Sequence, residues 1–287
     1  MNRILLCTDG SPFAQSSYYY GAWFADKLGA SVDILYVSDD RGQSPAEATD
    51  LSGSIGLGAS ETLLKKLVEV EHQRAKLNHQ QAKLILADAE QALTRQGAKS
   101  IKLVHKIGFL IDHLETLEAS TDLIVLGQRG ETADSAPLHL GTNVDRIVHS
   151  STKPCLVTPR QFAPIERLLL AYDGSPTGKR LLKFLADTPG LQHLDIHLLM
   201  AVKSESDPKI GNWQTEAVAL LQQAGIKPTV SQPMGKPEKL ISQYIEEHNI
   251  SLLLMGIYGD RQTHHLAIGN TTIQLLSSSH IPVLLLR

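Results

Sequence analysis

Short apolar runs recur along the chain and are separated by longer helix-forming stretches. The run at 252–256, Leu-Leu-Leu-Met-Gly, shows the type, because it is uninterrupted and ends at a glycine. Such runs predict strands that are buried on both faces of a parallel sheet, and the stretches between them predict helices that cover the sheet. The hydrophobic pattern therefore predicts an α/β protein with a doubly wound sheet.

The predicted elements occur twice in the same order. The first strand leads into Asp-Gly-Ser-Pro at 9–12, and the same tetrapeptide follows a strand at 173–176. In both places the serine is positioned to cap a helix whose first residue is the proline. Each copy continues with alternating helices and strands and ends in a strand. This order predicts two tandem domains, at residues 1–160 and 165–287.

The two copies differ in length between their second and third strands. Asp9 and Asp173 are 164 residues apart, and Asp33 and Asp195, which we take as counterparts in the second strands, are 162 apart. After the fourth strand the offset falls to 129, so roughly 35 residues are extra in the first copy. We therefore expect a helical insertion at about residues 39–97 of the first domain.

The insertion has two parts in the sequence. Residues 38–60 have no usable period and predict a loop, whereas residues 61–96 predict one long helix. Four apolar residues recur on this helix at seven-residue spacing: Leu63, Val70, Leu77 and Leu84. The stripe favours packing on the sheet of its own domain, and it also fits a coiled-coil contact with a second chain, which leaves a homodimer open.

Composition and charge exclude several classes of function. The 287 residues carry a net charge of −3, so there is no basic field of the kind that nucleic acid requires. No apolar run reaches the ~20 residues that span a bilayer, and none suits a signal peptide, so the cytoplasm is the expected compartment. Cys7 and Cys155 lie in apolar runs and are expected to be buried thiols. The scattered histidines predict no tightly bound metal.

A spaced set of glycines follows the fourth strand of each copy. The set is Gly127, Gly130 and Gly141 in the first copy and Gly256, Gly259 and Gly269 in the second. In an open parallel sheet, ligands bind beyond the carboxyl ends of the strands, where the strand order reverses. Glycines there let backbone N–H groups approach an anion, and the following helix adds its N-terminal donors. The alternative is that each glycine only ends a strand or begins a helix.

Two arginines beside these loops also have both a ligand-binding and a ligand-free interpretation. Arg129 and Arg261 lie within or next to the loops, where each either approaches a phosphate or points to solvent. The chain has no P-loop, no dinucleotide-binding Gly-x-Gly-x-x-Gly and no Gly-x-Ser-x-Gly, and no paired catalytic acid and base are placed. The sequence therefore indicates a binding device, and it leaves enzyme activity uncertain, with none as the favoured interpretation.

These motifs together resemble the universal stress protein family. They are the aspartate after the first strand, Gly-x-x-Gly followed at a distance by Gly and a polar residue, and a terminal strand like Pro-Val-Leu-Leu at 282–285. The resemblance covers nearly the whole chain as a tandem pair. It implies a five-stranded parallel sheet in each domain, of the adenine nucleotide alpha hydrolase type, and ATP or AMP, with or without Mg, in the crevice.

The resemblance also implies a set of site residues. The base and ribose are expected near Asp9 and Val37 in the first domain, and near Asp173 and Val202 in the second. The phosphates are expected on the loops and helix starts, namely Gly127, Gly130, Gly141, Thr142 and Asn143, or Gly256, Gly259, Gly269, Asn270 and Thr271.

Both copies depart from the family pattern. The first has ten residues, 131–140, where the pattern has nine, and the second has Asn270 where the pattern has Ser or Thr. We rank the second site above the first, because an asparagine amide still offers a donor and an acceptor.

The expected function is that of a stress-response protein that acts through nucleotide-dependent interactions. A nucleotide-free interaction module of the same fold and a slow ATP hydrolase are the alternatives. The apolar terminal strands at 154–158 and 282–286 would leave open sheet edges, so we expect them to pair within the chain about a pseudo-twofold axis.

Overall fold

The computed structural model describes residues 2–38, 57–130, 140–202, 208–257 and 270–287. Most of the loop predicted at 38–60 lies outside these ranges. The strands are Arg3–Thr8 (β1), Ser31–Ser38 (β2), Ile101–Ile107 (β3), Leu123–Gly127 (β4), Cys155–Thr158 (β5), Arg167–Ala171 (β6), Asp195–Leu199 (β7), Thr229–Ser231 (β8), Leu252–Gly256 (β9) and Val283–Leu286 (β10). The α-helices are Pro12–Leu28 (α1), Leu57–Arg95 (α2), Leu110–Glu118 (α3), Thr142–Ser150 (α4), Pro176–Ala186 (α5), Pro208–Gln223 (α6), Pro237–Glu247 (α7) and Asn270–Ser278 (α8).

These strands form one sheet in the order β3-β2-β1-β4-β5-β10-β9-β6-β7-β8. All neighbours within the first five strands and within the last five are parallel. One core contains residues of α1, α2, α5 and α6, and the other contains residues of α3, α4, α7 and α8, so helices cover both faces. The predicted α/β fold with two doubly wound, five-stranded parallel units is confirmed.

The two units meet at their final strands. β5 and β10 are hydrogen-bonded neighbours and run antiparallel, with Val157 opposite Val283 and Leu156 opposite Leu284. Leu156 and Leu284 are fully buried. The strands that the sequence analysis expects to pair within the chain are therefore neighbours in the sheet, and neither forms an edge.

The repeated Asp-Gly-Ser-Pro turn begins α1 and α5 in the same way. Ser11 accepts a hydrogen bond from the N–H of Ala14, and Ser175 accepts one from the N–H of Gly178. Each cap satisfies one of the donors that a helix start leaves unpaired, and a proline occupies the first helical position. The predicted caps are confirmed, and they fix the direction in which α1 and α5 leave the edge of the sheet.

The long helix packs differently from the prediction. α2 has 39 residues where its counterpart α6 has 16, as an insertion in the first copy requires. Its contact with the core is made by Ala82, Leu86, Ala89 and Leu93. The heptad stripe points elsewhere, because Val70, Leu77 and Leu84 are 58%, 64% and 73% exposed. The expectation that this stripe covers the sheet is wrong.

Strand register corrects one correspondence between the copies. Arg3 is level with Ser31 in the first unit, and its counterpart Arg167 is level with Asp195 in the second. Asp195 is therefore the counterpart of Ser31, and the match with Asp33 is wrong by two residues. The offset of 164 between the first strands also holds for the second strands.

The same register bears on the second-strand site residues. Cys7 is level with Leu35, and Ala171 is level with Leu199. Two residues further along, the counterpart of Val37 is Ala201, and Val202 is the counterpart of Ser38. Backbone hydrogen bonds agree, because Gly108 donates to Ser38 and Gly235 donates to Val202.

Both cysteines are free and buried, as the sequence predicts. Burial raises the pKa of each thiol to about 12. They are packing residues rather than reactive thiols, because the thiolate is the nucleophilic form.

Candidate functional site

The strand order reverses at one place in each half of the sheet. β1 lies between β2 and β4, and β6 lies between β7 and β9. Asp9 directly follows β1, Asp173 follows β6 after Tyr172, and Gly127 and Gly256 end the neighbouring strands β4 and β9. Each aspartate and its glycine therefore share the carboxyl edge at the reversal point, which is where an open α/β sheet forms its ligand crevice.

In the first half, Asp9 packs against Gly130. A Cβ built on Gly130 would lie 2.7 Å from Oδ2 of Asp9, so this glycine gives the carboxylate room. The other oxygen, Oδ1, accepts a hydrogen bond of 2.9 Å from the N–H of Ser11. The structure thus brings these two predicted site residues together, and part of the space that a ligand would use is filled by the carboxylate.

The other two glycines of this half have different roles. A Cβ on Gly127 would lie 2.9 Å from the backbone of Phe13, so Gly127 permits the close approach of α1 to the end of β4. Gly141 precedes α4 as its N-cap, and its N–H donates to the carbonyl of Gln128 at 3.2 Å. Neither has a φ in the left-handed region. Thr142 and Asn143 are exposed in the first turn of α4.

In the second half, Asp173 is exposed beyond β6. Its Oδ1 accepts a hydrogen bond of 3.0 Å from the N–H of Ser175. Gly178, in the first turn of α5, lies against the same oxygen, because a Cβ there would be 3.0 Å from it. The aspartate therefore has one oxygen fixed by the turn while its side chain remains open to solvent.

The start of α8 is attached to the end of β9. Thr272 is 3% exposed, and its hydroxyl donates to the carbonyls of Gly256 and Ile257 at 3.3 and 3.2 Å. The sequence analysis missed Thr272, although a threonine two residues after Asn270 is a signal for such an anchor. Thr271 is half-buried beside it. Gly259, Gly269 and Arg261 lie outside the described residues, and only the backbone of Asn270 is described.

Val202 uses its backbone groups within the sheet. Its N–H donates to Pro233 at 3.0 Å, and its carbonyl accepts from Gly235 at 3.1 Å. In the first half, Val37 is level with Lys106 in the β2–β3 ladder. The carbonyl of Val202 keeps a second lone pair for a ligand, whereas its N–H is used and its side chain is buried.

Two further side chains cover the turns after β1 and β6. Ile85 of α2 lies over Gly10, and Trp213 of α6 lies over Gly174. Both glycines have positive φ, +78° and +72°. Sequence reasoning missed these contacts, because an isoleucine or tryptophan on an amphipathic helix carries no signal of what it covers.

Tyr172 lies next to Asp173 and is the last residue before the crevice. Its hydroxyl is buried and, among the described residues, has no hydrogen-bond partner. Burial raises the pKa of this phenol to about 12, and the charges of Glu216 and Asp173 also act to raise it. The counterpart hydroxyl, on Thr8, instead bonds to Tyr18 at 2.6 Å. A buried donor without a partner therefore lies beside the second crevice and not beside the first, as far as the described residues extend.

Metal ligands and membrane-spanning helices are the two features that remain. In the ranges given above, no three His, Cys, Asp or Glu side chains converge on a common metal position. No helix there is both long and apolar enough to cross a membrane.

The model of the universal stress protein family matches residues 1–159 and again 164–287. The chain belongs to this family. It is 51% identical over 288 residues to Universal stress protein Slr1230 of Synechocystis sp., with full coverage of both chains.

Solved structures share the fold of this universal stress protein. A universal stress protein from Archaeoglobus fulgidus aligns with a TM-score of 0.75 at 19% identity, covering all of this chain and 98% of that one. A functionally unknown protein from Pseudomonas aeruginosa PAO1 aligns with a TM-score of 0.64 at 15% identity, covering all of this chain and 92% of that one. At such identities the likeness extends to the fold alone.

Proposed function

We propose that this universal stress protein binds an adenine nucleotide, ATP or AMP, in the crevice of its second half and acts through interactions that depend on occupancy. The observation that carries the proposal is the exposed carboxylate of Asp173 at the reversal point of the sheet. A carboxylate there accepts hydrogen bonds from ribose hydroxyls or from the amine of the base.

The surroundings of Asp173 fit such a ligand. Tyr172, whose buried hydroxyl has no partner among the described residues, directly precedes it in the chain, and Gly256 ends the adjacent strand. Thr272 holds the start of α8 against that strand, so the first-turn N–H groups of α8 have a fixed position on the same edge. Such groups, with the positive end of the helix dipole, suit phosphate oxygens. Mg²⁺ would arrive with the phosphates and keep most of its water.

The first half is the weaker candidate for binding. Asp9 is pressed against Gly130, and the N–H of Gly141 already donates to a carbonyl. The loop also carries one residue more than the family pattern. We propose that this half has kept the glycine pattern as architecture, which is the role that the nucleotide-free alternative would give to both halves.

The internal duplication supplies a matched pair of variants for the test. Asp173→Ala removes an acceptor from the second crevice, and Asp9→Ala removes its counterpart from the first. We expect calorimetry to show about tenfold weaker binding of ATP and AMP by Asp173→Ala, since a tenfold change equals about 1.4 kcal/mol and this is typical of one hydrogen bond to a charged group. Asp9→Ala is expected to bind like the wild type.

Two outcomes would contradict the proposal. If the folded Asp173→Ala protein binds as tightly as the wild type, the site is wrongly placed. If the wild type binds neither nucleotide and none is released from the purified protein, the nucleotide-free interaction module replaces the proposal. Hydrolysis is not part of it, because we assign no nucleophile or general base among the crevice residues that the structure describes.

We further propose that the domains, residues 1–160 and 165–287, are related by a pseudo-twofold axis at the β5–β10 pair. A cytoplasmic location stays a prediction.

The exposed face of α2 supports a homodimer with a second copy of this chain. Its side chains recur at alternating intervals of three and four residues, which are the a and d positions of a heptad: Leu67, Val70, Arg74, Leu77, Gln81 and Leu84. The apolar members are all exposed, and the opposite face already packs on the sheet. A seam of this spacing is matched by the same seam on an antiparallel copy, so α2 of one chain is the fitting partner for α2 of another.

A further inference from the structure

We propose that the junction between the two halves contains a second binding site, for the phosphate group of a small molecule. A pocket of about 590 Å³ lies between the carboxyl ends of β4 and β5, the start of α1 and the end of α8. Gln128 and Arg129 of its lining belong to the glycine loop of the first half, and none of its lining residues belongs to the crevice of the second half: Phe13, Gln128, Arg129, Pro159, Arg160, Gln161, Ser277, Ser278, Ser279 and His280. This site is independent of the proposed nucleotide site.

The charge of the pocket is positive. Arg129 and Arg160 both line it, and none of the described residues that line it carries a carboxylate. No ion pair joins either guanidinium to an acidic side chain within the described part of the chain. Two guanidinium groups that share a pocket repel each other, and an anion between them removes the repulsion. A phosphate group also matches the planar donor fork of arginine.

Arg129 has an unused donor inside the protein. Its Nε is buried and has no hydrogen-bond partner among the described residues. One of its terminal nitrogens, Nη2, donates at 3.4 Å to the carbonyl of Ser277 at the end of α8. Leaving a buried donor unpaired is unfavourable, so a ligand that accepts from Nε would recover free energy.

A purely structural role explains only part of this arrangement. A guanidinium at a helix C-terminus stabilises the last carbonyls, and Arg129 does this for α8. Gln128 acts with it by donating its side-chain N–H to the carbonyl of Leu276. Neither contact involves Arg160, which follows β5 and also lines the pocket.

The residue of the second half that corresponds to Gln128 argues for a specific role of the polar pocket in the first half. Gln128 directly follows Gly127, and its counterpart after Gly256 is Ile257, which is 1% exposed. Ile257 belongs to the core that also contains residues of α4 and α8. At the end of α4, Arg287 donates to the carbonyl of His149 at 3.0 Å. Gln128, which lines the pocket, therefore has an apolar and buried counterpart in the second half.

The walls of the pocket indicate what kind of group the ligand carries besides its phosphate. Phe13 and Pro159 present apolar surface beside the two arginines. An ester of phosphate with an apolar body would contact both parts, whereas free phosphate would contact only the cations. Phenyl phosphate and inorganic phosphate are therefore the two probes that separate these sources.

The test measures binding of both probes by calorimetry to the full chain and to Arg160→Gln. Arg160 is exposed, so its replacement is expected to leave the fold intact, whereas Arg129→Gln also removes a contact with α8. We expect Arg160→Gln to bind phenyl phosphate at least about tenfold more weakly, as the loss of one hydrogen bond between charged groups would give. Arg146→Gln, which removes one positive charge from an exposed position on α4, is the matched control and is expected to bind normally.

Each outcome decides the proposal. Binding that is lost in Arg160→Gln and kept in Arg146→Gln supports it, because Arg160 lines this pocket and is not part of the proposed nucleotide crevice. No binding of either probe by the wild type, or equal binding by Arg160→Gln, overturns it whatever the result for ATP. Tighter binding of phenyl phosphate than of inorganic phosphate assigns the site to a phosphate ester, and the reverse order assigns it to free phosphate.

Discussion

The indole ring of Trp213 lies directly against Gly174, so that a Cβ on this glycine would overlap Cδ2 of the ring. Gly174 also has a φ of +72°, which L side chains rarely adopt. The contact joins α6 to the turn after β6, next to Asp173. The residue type at position 174 is therefore constrained both by backbone conformation and by the space that Trp213 occupies.

Gly174→Ala is expected to destabilise the protein by more than the cost of its φ alone. Gly29→Ala is the matched control, because Gly29 has a φ of +62° and a methyl group there would have no neighbouring atom within 4 Å. We expect a loss of about 1 kcal/mol for Gly29→Ala from conformation. A further loss of about 1–3 kcal/mol is expected for Gly174→Ala from overpacking. Urea unfolding measures both, and equal losses would show that Trp213 moves aside freely.

Gly127 and Gly141 form a second comparison. A methyl group on Gly127 would meet the backbone of Phe13 at 2.9 Å, whereas the nearest atom to one on Gly141 is 3.4 Å away. We expect Gly127→Ala to lower the free energy of unfolding by about 1–3 kcal/mol and Gly141→Ala to have a smaller effect. Denaturant midpoints provide the measurement. A larger loss at Gly141 would mean that its role is not limited to beginning α4.

The association of α2 with a second chain predicts a mass change on a single substitution. Light scattering is expected to give about twice the chain mass of 31.3 kDa for the wild type and the monomer mass for Leu77→Glu. Lys76→Glu is the control, because it adds negative charge at an exposed neighbour outside the seam. A monomeric wild type, or a dimeric Leu77→Glu protein, would remove α2 from the assembly.

Stability is expected to fall at alkaline pH. Burial raises the pKa of Cys7, Cys155 and Tyr18 to about 12, above the ordinary values of 9.0 for a thiol and 10.0 for a phenol. The folded state therefore holds these protons more tightly than the unfolded state does. The resulting stability is complete below about pH 9 and is lost progressively as the pH rises from about 9 toward 12, by about 1.4 kcal/mol per pH unit for each group that titrates only when unfolded.

A pair of variants separates titration from packing. Cys7→Ala is expected to flatten the alkaline decline, because one titrating group is gone. Val157→Ala, which truncates another buried side chain of the same core, is expected to lower stability by a similar amount at every pH. Urea unfolding between about pH 7 and pH 10.5, a range that crosses the ordinary thiol pKa, gives the slopes. Identical slopes for the wild type and Cys7→Ala would exclude the thiol as a source.

The strands and the two capped helix starts could be predicted because local chemistry determines them. The uninterrupted apolar runs became buried strands, and Ser11 and Ser175 accept the first-turn N–H groups that such caps accept. The packing face of α2 could not be predicted in the same way. Its contact uses Ala82 and Ala89, whose small side chains allow close approach to the core but add little to a pattern of large apolar residues.

The site was predictable at the level of strand order rather than of individual atoms. Asp9 and Asp173 reach the reversal points because they come just after the first strand of each half. The role of Gly127 depends on how closely Phe13 approaches, which no local pattern encodes. The match of Asp33 with Asp195 relies on the shared residue type. Strand register instead makes Ser31 the counterpart of Asp195.

The antiparallel junction of β5 and β10 has a consequence for how the halves can change. When two identical chains associate, every substitution appears on both sides of the contact. Here the two strands belong to separate stretches of one polypeptide. Gln128 can therefore donate to α8 in the first half while its counterpart in the second half, Ile257, is apolar and buried. Because the two halves are covalently linked, their sequences can differ, and one half can lose a function that its neighbour retains.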